Sequence, residues 1–223
     1  MSLSAFECNK LKGDLDRSTV ALGSLPVAVA SSTSLSAVLT QTEIQLFQNG
    51  QEKWASLAVS PWKPTALAFS NDGKELAVGG DDAQVHFYTI GDRVLQPLTR
   101  TLQHRGAITA LAYNPVKSML AVGDTNRQIL VYSTEDWSVV IPHWVFHTAR
   151  VESIAWSPNG EYAASGSLDT NVEIWSTKET MRHICVKNAH TDSVTSVAWE
   201  SDTSLFSAGK DGCIKRWTLK HFA

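Results

Sequence analysis

The chain is built from short runs of alternating apolar and polar residues, separated by polar turn residues. Val151-Glu-Ser-Ile-Ala-Trp156 reads as a strand. Ser157-Pro-Asn-Gly160 then supplies Pro and Gly where a tight turn needs them. Tyr162–Ser165 reads as a second strand and Asn171–Trp175 as a third, with Gly166–Thr170 between them. The order recurs in Val194–Trp199, Leu205–Ser207 and Gly212–Trp217. It recurs again in Ala107–Tyr113, Met119–Val122 and Gln128–Tyr132, and in Thr65–Phe69, Leu76–Val78 and Gln84–Tyr88. A weaker copy is Val27–Ala30, Ser36–Leu39 and Ile44–Phe47. No segment with a helical period interrupts these strands, so the pattern predicts an all-β chain of repeated units.

The repeat has a length. Aromatic residues close the third strands at Phe47, Tyr88, Tyr132, Trp175 and Trp217, in steps of 41, 44, 43 and 42. A second series, Phe69, Tyr113, Trp156 and Trp199, steps by 44, 43 and 43. His104, His147 and His190 step by 43. Three series in phase, with several strands per period, point to a WD-repeat β-propeller. The units fall at about 20–57, 58–98, 99–140, 141–184 and 185–223. Residues 1–19 match poorly and are expected to be a closing strand or the remnant of a preceding blade. Five recognisable blades, in a fold whose rings hold roughly 4–8, leave three arrangements open: a five-bladed ring, an incomplete arc, or part of a longer, seven-bladed ring. Degenerate early units followed by orderly late ones favour the last.

Composition narrows the function classes. The chain has 223 residues, 43% hydrophobic and 18% charged, which is the make-up of a globular protein. Its formal charge of −3 gives no long-range attraction to a phosphate backbone, so no nucleic-acid partner is expected. Val20–Leu39 is the most apolar stretch, but Pro26 and six serines and threonines dilute it, and no membrane partner is expected. Cys8, Cys185 and Cys213 are too scattered for a disulfide framework or a zinc cage, and no glycosylation acceptor occurs. These features favour a reducing, cytoplasmic setting. Cys185 and Cys213 read as small core residues. His143 and His147, four apart, lie in a strand-like stretch unsuited to a helical metal site. Gly79-Gly80-Asp81-Asp82 lacks the Lys-Ser/Thr of a phosphate loop. The expectation is no metal, no cofactor and no small-molecule substrate.

Two units carry a matched set of polar residues: His147, Ser165, Asp169 and Trp175, then His190, Ser207, Asp211 and Trp217. His, Ser and Asp suggest nucleophilic catalysis, but an enzyme needs one triad rather than one per repeat. No Gly-x-Ser-x-Gly elbow is present either, so no catalytic residue is assigned. The set resembles the structural tetrad of WD repeats, in which Asp accepts from His, Ser relays and the Trp indole donates. It fades toward the N-terminus. The third unit has His104 with Val122, Asn126 and Tyr132, and the second has Ser60, Val78, Asp82 and Tyr88. Those blades are expected to rely more on apolar packing. Loops before the first strand and turns after the second should share one face of the disc. That face is the candidate partner surface, with Trp62, Lys63, Asp81, Arg105, Arg150 and Lys210 its leading residues. Trp62 reads equally well as filler for the missing histidine of its unit. The exposure of Trp54, Trp137 and Trp144, near strand ends, is not set by the pattern.

Trp144-Val-Phe-His-Thr-Ala-Arg-Val-Glu-Ser-Ile-Ala-Trp-Ser-Pro-Asn-Gly, with Asp169 and Val172-Glu-Ile-Trp175, resembles the penultimate repeat of the actin-interacting protein family. Asn188-Ala-His-Thr-Asp-Ser-Val-Thr-Ser-Val-Ala-Trp, Lys210-Asp-Gly and Ile214-Lys-Arg-Trp217 are similar to its last repeat. The resemblance implies a WD-repeat cofactor of ADF/cofilin built from two seven-bladed propellers. Such a protein binds cofilin-decorated actin filaments and promotes their disassembly. This chain corresponds to most of the second propeller, and no family contact residue carries over. The alternative is a general WD-repeat scaffold in another multiprotein complex. The Trp-Asp-x-Arg of ubiquitin-ligase receptors is replaced here by Trp175-Ser-Thr-Lys and Trp217-Thr-Leu-Lys.

Overall fold

A strand with apolar residues on both of its faces has to be covered on both. That requirement organises the computed structural model, which describes residues 22–48, 52–59 and 61–219. Residues 1–19, the expected N-terminal segment, lie outside the described residues, as do Ser60 and the side chain of His143.

The strands form five antiparallel sheets, each meandering in chain order. The first holds β1 (Pro26–Ser31), β2 (Leu35–Thr40), β3 (Glu43–Gln48) and β4 (Glu52–Ala58). The second holds β5 (Pro64–Phe69), β6 (Glu75–Gly80), β7 (Gln84–Ile90) and β8 (Leu95–Gln103). The third holds β9 (Ile108–Tyr113), β10 (Met119–Asp124), β11 (Ile129–Ser133) and β12 (Val139–Trp144). The fourth holds β13 (Val151–Trp156), β14 (Tyr162–Ser167), β15 (Val172–Ser176) and β16 (His183–Val186). The fifth has β17 (Val194–Ser201), β18 (Ser204–Gly209) and β19 (Ile214–Thr218). Each first strand packs against the next, from β1 through β5, β9 and β13 to β17. Among the described residues the series does not close from the fifth sheet back to the first. The architecture is a partial propeller.

The core is four seams rather than one centre. Leu39, Ile44 and Leu46 meet Leu76 and Val78 between the first and second sheets. Phe87 meets Ile108, Leu120 and Val122 at the next seam. Trp144 meets Trp156 and Trp175 between the third and fourth, and Ile174 meets Val194 and Val197 between the fourth and fifth. Trp144 is therefore fully buried, with its ring 5.2 Å from that of Trp175. The pleat sends alternate residues of one strand to opposite seams. Thus Leu76 and Val78 face backward while Ala77 faces forward.

In the second, third and fourth sheets close approach depends on one glycine of the second strand. A Cβ on Gly79 would lie 2.4 Å from Ile108 Cγ2, and one on Gly166 2.5 Å from Val194 Cγ1. At Gly123 it would touch Val151 and Ile154 at 3.0 Å. The three glycines hold equivalent places and meet the first strand of the following sheet. Gly166→Val should cost about 1–3 kcal/mol through overpacking. The equivalent Ala208→Val in the fifth sheet should cost less than half as much. Urea unfolding of both variants checks this, and equal losses would show that the seam is not what excludes bulk.

Candidate functional site

One backbone hydrogen bond recurs in every sheet and builds the candidate face. The turn after the second strand donates an N–H to a carbonyl in the loop before the first. The pairs are Gln41 to Leu25 at 3.1 Å, Asp81 to Lys63 at 2.9 Å and Thr125 to Ala107 at 2.9 Å. Leu168 to Arg150 at 3.1 Å and Lys210 to Ser193 at 2.9 Å complete the set. Each clasp holds two loops side by side, so their side chains emerge together. Lys63, Asp81, Arg105, Arg150 and Lys210 are all exposed there. Lys63 and Asp81 meet directly, the Lys63 N–H donating to Asp81 Oδ1 at 2.8 Å. Arg105, Arg150 and Lys210 stand on three successive sheets.

Beneath the clasp of the fourth sheet lies a buried polar chain. The Trp175 indole N–H donates to Ser165 Oγ at 2.8 Å. Ser165 Oγ lies 2.8 Å from His147 Nε2, and His147 Nδ1 lies 2.9 Å from Asp169 Oδ2. The Asp169 carboxylate can only accept, which leaves Nε2 to accept from the Ser165 hydroxyl. His147 therefore carries its proton on Nδ1 and donates to Asp169. The carboxylate also accepts the Thr148 and Asn171 N–H groups at 2.8 and 3.0 Å. The fifth sheet repeats the chain with Trp217, Ser207, His190 and Asp211 at 2.8, 2.8 and 2.9 Å. Ser165 is fully buried, with its oxygen engaged on both sides. The chain braces the turn and presents no free nucleophile.

The third sheet, expected to rely more on apolar packing, keeps a polar brace of its own. The Tyr132 hydroxyl reaches His104 Nε2 directly at 3.0 Å, without a serine relay. His104 Nδ1 faces Asp124 Oδ2 at 3.4 Å. Asp124 Oδ1 accepts the Asn126 and Gln128 N–H groups at 2.8 and 3.1 Å. Asp124 stands two residues before the position at which Asp169 and Asp211 stand, where the fourth sheet has Ser167. The side chains of His104 and Asp124 are fully buried. Burial, and then the Asp124 charge, push the Tyr132 hydroxyl up to about 12, so it keeps its proton.

The second sheet solves the same problem another way. Asp82 Oδ2 lies 2.9 Å from Nε2 of His86, a residue of β7 rather than of the lead-in loop. The half-buried Trp62 stacks on His86, ring centroids 4.0 Å apart and planes 4° apart. A Cβ on Gly80 would strike Asp82 at 2.2 Å and Trp62 at 2.9 Å, so only glycine admits this stack. Trp62 thus occupies the site of the missing histidine while one edge still faces solvent.

The model for the WD domain, G-beta repeat, matches residues 58–89, 96–133, 140–176 and 182–218. The chain belongs to the WD-repeat family. Among similar proteins, the 66 kDa stress protein of Physarum polycephalum is 38% identical over 124 residues, 56% of this chain and 20% of that one. Actin-interacting protein 1 of Drosophila melanogaster is 36% identical over 125 residues, again 56% of this chain and 20% of that one. The matched part is thus about a fifth of these relatives' length. The crystal structure of the RRP9 WD40 repeats superimposes with a TM-score of 0.80, over 92% of this chain and 63% of that one. Its 18% identity speaks to fold alone.

Within this chain the turn keeps a brace while the donor to it changes. Ala83, Arg127, Thr170 and Gly212 all hold positive φ, from 64° to 75°, at the same turn position. An upstream carboxylate ties each of these turns to a following N–H group. The cysteines correct the sequence reading: Cys213 is exposed and Cys185 half-buried. Cys213 leads into β19, on the sheet that no further sheet covers among the described residues. No group of three or more metal-ligating side chains occurs among the described residues.

Two outcomes follow for the braces. Burial raises the Asp169 pKa, but the His147 hydrogen bond and charge and two backbone N–H groups outweigh it and set it to about 2, against 3.8 unfolded. A lowered folded pKa means that the unfolded chain takes up the proton first. The stabilisation is therefore complete above about pH 4 and is lost as pH falls toward about 2. Asp169→Ala should cost about 1–3 kcal/mol at neutral pH and flatten that acid limb in thermal unfolding. In the third sheet, Asp124→Ala should likewise cost about 1–3 kcal/mol and Asn126→Ala distinctly less. The reverse order in chemical denaturation would return the brace to Asn126.

Proposed function

We propose that this chain is a non-catalytic interaction module of the actin cytoskeleton in the cytoplasm. In this reading it engages actin filaments together with ADF/cofilin and promotes their disassembly. The observation that carries the reading is the similarity to Actin-interacting protein 1. The fold supports it physically. Rigid sheets hold exposed loops at fixed spacing, which suits docking onto a protein surface rather than enclosing a substrate.

The clasped face is the proposed contact. Arg105 and Lys210 place positive charge on the third and fifth sheets, and Arg150 between them is paired with Glu152 at 2.6 Å, an arrangement suited to an acidic protein surface that can compete for that arginine. Trp62 adds an aromatic edge of the kind that anchors interfaces, already held in place by His86. No helix among the described residues is long and apolar enough to cross a membrane.

Co-sedimentation with actin filaments, with and without cofilin, tests the reading. The expected result is pelleting that requires cofilin. It should weaken several-fold, and lose salt dependence, in the triple variant Arg105→Glu, Arg150→Glu, Lys210→Glu. A folded chain that stays in the supernatant in both conditions would overturn the actin reading in favour of a scaffold for another complex.

A further inference from the structure

On the third strand of each sheet one residue pairs with the middle of the second strand. The third sheet has Leu130 there, opposite Val122, and the other four have polar residues. The pairs are Val38 with Gln45, Val78 with His86, Ser165 with Glu173 and Ser207 with Lys215. Three of these polar side chains are bonded. Gln45 Nε2 donates to Glu43 Oε1, His86 Nε2 lies 2.9 Å from Asp82 Oδ2, and Lys215 Nζ donates to the Ala189 carbonyl at 2.6 Å. Glu173 is the exception. It is 2% exposed, and its Oε2 is buried without a hydrogen-bond partner.

The strand that covers Glu173 is short. β16 has four residues, all half-buried, against six to nine in the outer strands of the other four-stranded sheets. Directly opposed residues of paired strands share a face, so His183 and Cys185 of β16 stand on the side of Trp175 and Glu173. His183 Nε2 lies 3.7 Å from Glu173 Oε2, beyond a hydrogen bond but within reach of an ion pair. The same ring stacks on Phe146, centroids 3.9 Å apart and planes 20° apart. Phe146 is exposed, in the loop that leads to His147. Burial, and then its hydrogen bond to Glu173, push the Cys185 thiol up to about 12, so it brings no charge. The other titratable groups around the carboxyl are His147 of the lead-in loop and Asp169 of the turn, which are bonded to each other. Across the seam the third sheet presents Ile129, Val131, Ile141 and Trp144, none of which titrates. His183 is the group of β16 that can bring a positive charge to Glu173.

We propose that β16 is a pH-sensitive flap, held against the fourth sheet while Glu173 or His183 carries a proton and released when both have lost it, because a buried carboxylate then stands without a counter-charge. Opening the flap gives that carboxylate to water. Burial raises the Glu173 carboxyl above its ordinary 4.5. The closed flap therefore gains from the Glu173 proton in full below about pH 4.5, and loses that gain as pH rises through the raised value. Between those limits opening grows by up to about tenfold per pH unit. A further rise accompanies loss of the His183 proton, and opening then levels off. The proposal does not rest on the actin reading.

Amide hydrogen exchange of the whole chain from pH 5 to pH 8, corrected for the intrinsic rate, tests it. This range lies above the acid limb of Asp169, and the amides of β12 serve as the internal reference. Protection of β16 should fall by about tenfold or more over the range while that of β12 holds. Glu173→Gln keeps the shape without the charge and should give high, pH-independent protection of β16. His183→Phe keeps the stack on Phe146 and removes the counter-charge, so at pH 6 it should open β16 several-fold more than the parent does. Protection of β16 that does not change with pH, a pH dependence that survives in folded Glu173→Gln, or His183→Phe indistinguishable from the parent at pH 6 would each overturn the flap.

Discussion

The structure depends on how closely one sheet can approach the next. Its sheets have few strands and two apolar faces, and a sheet of that size does not hold itself together in water. Stability has to come from the seams. Gly79, Gly123 and Gly166 let Ile108, Val151 and Val194 rest against the backbone of the preceding sheet. Without the Gly79 contact the forward-facing Ala77 would lose its cover from Ile108. The glycines are small for a reason that lies some thirty residues further along the chain. The repeat period is thus a packing distance written into sequence.

Once the seams fix the sheets, the loops at their ends have little freedom left, and polar chemistry finishes them. Every sheet uses the same backbone clasp, but the buried brace beneath it varies. Two sheets use Trp, Ser, His and Asp; one uses Tyr, His and a shifted Asp; one uses a Trp–His stack on Asp82. What persists in these four sheets is a carboxylate that receives the N–H groups of a left-handed turn, whereas in the first sheet the Thr40 hydroxyl receives them. A buried carboxylate left without such donors would be costly, so brace and turn are retained together while the donors change.

The same distinction explains what the sequence made legible. The all-β architecture and its repeat could be read because aromatic and histidine positions recur with the seam geometry. Asp124 falls outside the tetrad spacing, because the residue four after Val122 is Asn126. The signal was present: Asp124 ends an otherwise apolar second strand, and no apolar strand buries a lone carboxylate without a partner. The apolar packing expected of that sheet followed from reading only the tetrad positions. His86 was passed over because it lies on the third strand, where no repeat places a histidine. Its stack with Trp62 needs Gly80 to clear the space, and that clearance is a property of three dimensions. Cys213 was read as core because cysteine is usually buried, whereas its exposure depends on which sheets have neighbours.

A repeat protein also marks its own exceptions. The Trp156 and Trp199 indoles donate to the Ala112 and Ala155 carbonyls across two seams, and Tyr113 occupies the same place without a partner for its hydroxyl. Equivalent positions share backbone geometry, so the difference is chemical: an indole reaches the facing carbonyl and a phenol does not. The cost is a buried hydroxyl and an Arg100 guanidinium Nε without acceptors, in a fold that elsewhere braces every turn. The cleft at that seam loses packing as well, because its walls forgo the contacts the other seams make. Buried polar atoms without partners are found at another seam too, as at the Trp144 Nε1 between the third and fourth sheets. In a scaffold whose stability is a sum of neighbouring seams, a single open one is tolerated because the rest hold the arc.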